Sequence, residues 1–274
     1  MGVSRIERIL ILAKTYPSPS AKHVETSCVA GITEQGCMRR LYPVPFRLIE
    51  EGQQFKKWQW VTLRVEKARA DHRPESHKVY VDTLTVGDHI DTSRGWALRR
   101  DWLGKIPFFP SMQALDHARI NEKVSLALVK PERMLGLEIT PARHADWTVE
   151  EREKLTQQQM ELFSEEAARS QVHGLRKVPF DFYYRFECRG PEGVQVAKHK
   201  IVDWEAGALF WNCQRSHGTR WEEPFRARLE TELLDKDLTL MMGNQHRFPD
   251  QWLVISLIYP PRPTPEHSAQ GALF

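Results

Sequence analysis

Apolar and polar positions in the N-terminal part of this chain fall into short runs with strand periodicity. Ile6–Ala13 is a nearly continuous apolar run. Thr26–Thr33 and Cys37–Pro43 flank Glu34-Gln35-Gly36, which suits a tight turn. Along Trp58–Arg69, Val61, Leu63 and Val65 alternate with more polar neighbours, and this period of two turns them to a core. His77–Val86 continues in the same style. Helical pieces are predicted at Trp96–Leu103 and Ser111–Asn121, then a pair of strands, Ser125–Lys130 and Met134–Thr140, broken by Pro131.

The clearest helix comes next, over Asp146–Arg169. Thr148 caps it, Glu150 and Glu151 occupy its first turn, and Leu155, Met160 and Leu162 supply apolar positions. Phe180–Cys188 and Val194–Val202 read as a hairpin across Arg189–Gly193. Helical patterns follow at Glu205–Cys213 and Glu222–Leu234, and Leu238–Met242 pairs with Trp252–Tyr259. The sum predicts an α+β protein with a β-barrel-like N-terminal half, PUA- or OB-like by analogy, and a smaller mixed α/β C-terminal half. A β-rich basic module is expected over 1–145, a helix plus mixed α/β module over 146–259, and a Pro-rich spacer with a terminal peptide over 260–274. No repeat period of 20–50 residues recurs.

Composition narrows the class. With 41% hydrophobic and 27% charged residues, the 274-residue chain can bury a sizeable core. No apolar run approaches the ~20 residues that span a bilayer. Glu7 is out of character in a signal peptide, so a cytoplasmic protein without a membrane partner is expected. Four cysteines in a chain this long read as small buried hydrophobes. Net charge is only +3, but residues 1–80 hold 14 Lys+Arg against 8 Asp+Glu, a local excess of +6 that attracts polyanions.

Candidate phosphate ligands cluster in that basic part. Lys14 and Lys22 bracket a hydroxyl-rich loop after the first strand, without a P-loop pattern. Arg39, Arg40 and Arg47 interleave with Tyr42 and Phe46, as cations and stacking rings do on nucleic acid. Lys56 and Lys57 precede Trp58 and Trp60 in the same manner. The bland alternative is a set of solvated arginines over a core of Leu41, Val44 and Phe46.

Other groups offer acid/base or metal chemistry. Asp71, His72 and Glu75, with His77 nearby, form the densest ionisable cluster, although neighbours in an irregular loop rarely converge and a solvated turn after the long strand is the favoured reading. Cys188, His199, Cys213 and His217 could bind zinc, although the close Cys-x2-Cys knuckle is missing. Glu187, Asp203 and Glu205 could hold Mg²⁺ in a nuclease-type site, while Asp203 or Glu205 would equally begin a helix. No cofactor is specified by these residues.

After Tyr259 the segment Pro260-Pro261-Arg262-Pro263-Thr264-Pro265 is a stiff spacer. The chain then ends in Gln270-Gly271-Ala272-Leu273-Phe274. This Gln-x-x-Leu-Phe terminus resembles the sliding-clamp-binding motif of bacterial polymerases and mismatch-repair proteins. The resemblance implies that Leu273 and Phe274 fill an apolar pocket on the clamp while the Gln270 amide bonds at its edge. Gly271 and Ala272 depart from the residues common at those positions and weaken the motif. Expected first is a DNA-associated protein of replication, repair or genome defence, tethered to the clamp and touching nucleic acid through its basic module. A nuclease or base-modifying enzyme, and a clamp adaptor without DNA binding, are the alternatives.

Overall fold

The structure, a computed structural model, describes residues 3–16, 18–19, 24–25, 28–42, 44, 55–160, 164, 166, 168–169, 176–191 and 193–262. Strands β1 (Arg5–Lys14), β2 (Val29–Thr33), β3 (Met38–Tyr42), β4 (Gln59–Lys67) and β5 (Ser76–His89) close into a barrel in the order β1-β2-β3-β5-β4. All neighbours are antiparallel except β3 and β5, which run parallel. A two-residue ladder, Ser18–Pro19 with Val24–Glu25, lies between β1 and β2.

The apolar run in β1 has a two-sided cause. Ile9 and Ile11 face the barrel interior with Val29, Leu41, Val61, Leu63, Val65 and Val79. Leu10 and Leu12 face outward, onto Leu126, Leu128, Met241, Ile255 and Ile258. A strand covered on both faces needs apolar residues at both parities, so alternation disappears. Opposite it in β2, Gly31 is required by close approach. A Cβ there would lie 2.4 Å from the Leu10 carbonyl oxygen.

Those outward residues meet a seven-stranded sheet. Its strands are β6 (Phe108–Phe109), β7 (Leu126–Val129), β8 (Arg133–Pro141), β9 (Phe180–Gly190), β10 (Gly193–Ile201), β11 (Thr239–Asn244) and β12 (Trp252–Ile258), in the order β8-β9-β10-β12-β11-β7-β6. The remaining connections carry helices α1 (Ser93–Leu103), α2 (Met112–Glu122), α3 (Val149–Met160), α4 (Trp204–His217) and α5 (Glu222–Arg226), the last continued by a π-helical turn over Ala227–Glu232. The sheet's far face packs under α4 and α5, with Phe182 and Phe225 ring centroids 4.5 Å apart. The fully buried Tyr184 hydroxyl donates to Leu229 O at 2.8 Å in the π-turn.

Local expectations and pairings diverge here. The β2–β3, β9–β10 and β11–β12 hairpins form as the turns predict. Thr148 caps α3 in a capping box, its Oγ1 accepting from Glu151 N and Glu151 Oε2 accepting from Thr148 N. The strands at 126–129 and 133–141, expected as a pair, are not neighbours. β7 pairs with β11 and β6, whereas β8 pairs with β9. A division at 145 therefore runs through the second sheet, which draws on more of the chain than the barrel does. No helix among the described residues is long and apolar enough to cross a membrane.

Candidate anion-binding site

The structure separates the sequence-predicted phosphate ligands into two groups. Arg39 pairs with Glu7 through two bonds of 2.7 and 2.8 Å. Arg40 is buried between barrel and sheet, donating to Ser125 O at 3.0 Å. Lys57 is buried as well, with Asp203 at 3.1 Å, Glu205 at 2.8 Å and Ser256 Oγ at 3.0 Å. Burial opposes its charge, but the two carboxylates outweigh it and raise its pKa. These three cations are already engaged in holding the fold. Tyr42 is exposed at the end of β3. Lys22 and Arg47, and the tail residues Gln270, Leu273 and Phe274, lie outside the described residues.

Lys14 and Lys56 fare differently. With Lys57, Trp58, His89, Trp96, Arg99, Glu205 and Tyr259 they line a half-open cavity of about 240 Å³ where β1 ends, β4 begins and β5 ends. Trp58 enters β4 with φ 65°, its N–H donating to Ile11 O at 2.6 Å and its carbonyl accepting from Ile90 N at 2.7 Å. In α1, Arg94, Gly95 and Trp96 are all left-handed, so the regular helix begins after Trp96. Two tryptophans in that region store about 2–4 kcal/mol of backbone strain, which persists only because surrounding structure over-determines it. Their rings meet edge to face at 5.6 Å. The Arg99 guanidinium lies 4.6 Å from the Trp96 ring and 5.0 Å from Trp58, while Nε and Nη2 donate to Ile90 O at 2.9 and 2.7 Å.

The charge of this cavity is unbalanced. Among the described residues, Lys14, Lys56 and Arg99 form no ion pair. Counting Lys14, Lys56, Lys57 and Arg99 against Glu205 and the adjacent Asp203 leaves +2, which the exposed Asp91 next to His89 and Arg99 offsets in part. Burial lowers the pKa of Lys14, with Lys57 and Lys56 adding repulsion that Glu205 and Asp203 oppose. Burial also lowers His89, with Arg99 and Lys56 acting in the same direction, and it lowers Arg99. Buried cations short of counterions are an arrangement that an anion would stabilise. His89, Trp96, Arg99 and Tyr259 escaped the sequence reading. No local pattern marks them, because Trp96 lies before the regular helix that carries Arg99.

A larger cavity of about 620 Å³ lies against the second sheet, and three of its four lining Lys and Arg residues are paired with carboxylates, the exposed Arg143 being the exception among the described residues. Lys177 pairs with Glu151 at 2.9 Å, Lys200 with Asp181 at 2.7 Å, and Lys198 with Glu138. The smaller cavity alone combines buried cations that lack ion pairs, among the described residues, with aromatic walls.

The proposed acid/base and metal groups do not converge. Glu75 turns away from Asp71 and His72 to accept from Ser125 N and Oγ. The Asp71 carboxylate accepts from both Arg73 Nε and Nη2 and from Ser76 Oγ at 2.7 Å, and Arg73 Nη1 reaches Asn244 O at 2.6 Å. Asp71, His72 and His246 do bring ligand atoms within 4.8 Å of one another. The bidentate guanidinium nevertheless occupies the carboxylate that a cation would need, so this cluster is a clamp between barrel and sheet. Glu187 pairs with Arg133 at 2.7 Å. Glu187 lies five residues along β9 from Phe182, the partner of Ile201, so it is ~17 Å of strand away from the Asp203 end. Asp203 instead caps α4, accepting from Glu205 N at 2.9 Å. Of the zinc candidates, Cys188 and Cys213 are buried in the core of the second sheet, His199 Nδ1 bonds Trp252 O at 3.0 Å, and His217 ends α4. Burial pushes the Cys188 thiol up to about 11, where it stays protonated and a poor ligand.

Fold and site together define a mixed α/β protein in which a closed barrel and a seven-stranded sheet share one apolar wall, with a basic aromatic pocket at the barrel's end. The chain belongs to the family described as "Domain of unknown function (DUF8757)", whose profile matches residues 109–274, more than half of it. A second profile, "Domain of unknown function (DUF8758)", matches residues 5–105. The two matches meet where the barrel gives way to the second sheet. No curated protein matches. Among solved structures, "Structure and Conformational Change of a Replication Protein A Heterotrimer Bound to ssDNA" contains a chain similar at 7% identity and a TM-score of 0.36. The alignment covers 99% of this chain and 52% of that one, so this chain spans about half the length of the solved one.

Proposed function

We propose that this protein binds nucleic acid at the pocket formed by Lys14, Lys56, Trp58, His89 and Arg99, and that its Gln270–Phe274 terminus docks on a bacterial sliding clamp. The observation that carries the first part is that the buried Lys14 and Arg99 lie beside aromatic walls and form no ion pair among the described residues. The barrel connectivity supports it. A five-stranded Greek-key barrel with β3 parallel to β5 is OB-like, an architecture that recurs in oligonucleotide binders. Such barrels present the β2–β3 face, but here the second sheet covers Ala30, Ile32 and Met38. The open barrel end takes over that role.

The clamp reading rests on the terminal motif. The body supports it in one respect: the tail departs beside the pocket. Tyr259 lines the cavity, and Arg100, next to Arg99, donates to Pro261 O at 2.5 Å. A tether starting there would raise the local concentration of the pocket on clamp-loaded DNA.

Fluorescence anisotropy with a single-stranded oligonucleotide tests the pocket. About three phosphate contacts predict roughly 20-fold weaker binding from 50 to 200 mM salt. Arg99→Met should lower affinity by about tenfold. Salt-independent binding, or none, would refute this part. Calorimetry with purified clamp tests the tail: micromolar binding lost on deleting Gln270–Phe274 supports docking, and its absence in the full chain refutes it. Clamp binding without oligonucleotide binding would identify an adaptor.

A further inference from the structure

Resting on the nucleic-acid reading of this pocket, we infer that it receives the terminal phosphomonoester of a strand end rather than an internal phosphodiester. Three features point the same way. The first is depth: Lys14 and Arg99 are only 5% and 6% exposed. An internal phosphate carries a sugar on each side and cannot reach recessed cations without drawing both in, whereas a terminal phosphate projects freely.

Size is the second. The cavity, about 240 Å³, is smaller than the ~300–1,000 Å³ usual for drug-sized ligands. It has room for a phosphate and part of a sugar. Trp58 and Trp96, at 4% and 8% exposure, offer edges and walls rather than open faces for a stacked base.

The third is charge. A phosphomonoester carries about −1.5 to −2 near neutral pH, against −1 for an internal diester. The two recessed cations without an ion pair among the described residues, Lys14 and Arg99, suit the former better. Arg99 uses Nε and Nη2 on Ile90 O, and its Nη1 makes no bond to a described residue, leaving donors for a phosphate oxygen. Among the described residues Lys14 donates one bond, to Phe55 O at 3.3 Å, which leaves two N–H donors there.

The test compares one single-stranded oligonucleotide bearing a 5′-phosphate, a 3′-phosphate or hydroxyls at both ends, with the matching nucleoside monophosphate as competitor. The expected result is at least about tenfold tighter binding of a phosphorylated end than of the hydroxyl form. Arg99→Met should abolish the preference. The exposed Lys56→Met, which leaves the fold intact, should reduce it several-fold, guarding against an Arg99 variant that fails to fold. Equal affinity for all three oligonucleotides overturns this inference and leaves the nucleic-acid reading standing. A monophosphate that competes as well as the phosphorylated strand assigns the site to free nucleotides and overturns the strand-end claim. No binding of any oligonucleotide removes both readings.

Discussion

Replacing Lys57 by methionine separates a structural cation from a ligand-binding one. Lys57 Nζ reaches Asp203 Oδ2 at 3.1 Å, Ser256 Oγ at 3.0 Å and the more exposed Glu205 at 2.8 Å. The Asp203 side chain is 1% exposed, so Lys57→Met leaves a desolvated carboxylate without a counterion. Breaking a buried pair in this way costs about 3–5 kcal/mol. Asp203 keeps the N–H bonds from Leu257 at 2.8 Å and Glu205 at 2.9 Å, which places the loss toward the lower end. At about 2–4 °C per kcal/mol for a chain of this size, Tm should fall by roughly 6–12 °C. Adding Asp203→Asn removes the stranded charge while retaining an acceptor, and the double variant should recover about 2 kcal/mol. Thermal melts followed by circular dichroism, with urea titrations as a check, measure both. A shift below ~2 °C in the single variant, or lost oligonucleotide binding at unchanged Tm, would refute the buried-pair argument and return Lys57 to the ligand surface.

Two further substitutions probe how the barrel is joined and closed. Burial pushes the Asp71 carboxyl up, but Arg73 and Ser76 outweigh it and hold its pKa well below the ordinary 3.8. A depressed carboxylate contributes stability that is fully present above 3.8 and is lost as pH falls through its folded value. Asp71→Asn should therefore cost about 2 kcal/mol near neutrality and flatten the acid limb of the Tm–pH profile; an unchanged acid limb would contradict the clamp. Gly31→Ala would put a Cβ 2.4 Å from Leu10 O and 2.6 Å from Ile9 Cγ2, costing about 3 kcal/mol or more. A Gly31→Ala protein melting within ~2 °C of the parent would disprove the close β1–β2 approach.

Much of the local structure was legible in the amino-acid order, because periodicity, turn glycines and caps act over a few residues. Val61, Leu63 and Val65 alternate into the barrel, Gly36 turns β2 into β3 with φ 80°, and Thr148 with Glu151 caps α3. The same order misassigned charged groups whose partners are distant. Lys57 and Asp203, 146 positions apart, look locally like a phosphate ligand and a metal ligand, yet they neutralise each other. Arg73 and Asn244, 171 positions apart, join what looked like a solvated turn to the second sheet. Whether a cation is spent or available depends on which carboxylate the tertiary fold brings within ~4 Å and how much water it removes, and neither is encoded nearby. The sequence by itself thus determined the strands, their hairpins and the terminal motif, because those follow from local sterics and pattern. The tertiary structure alone decided that β1 is buried on both faces, that β7 and β8 part company, and that Lys14, Lys56 and Arg99 meet beside two strained tryptophans with their charge unspent.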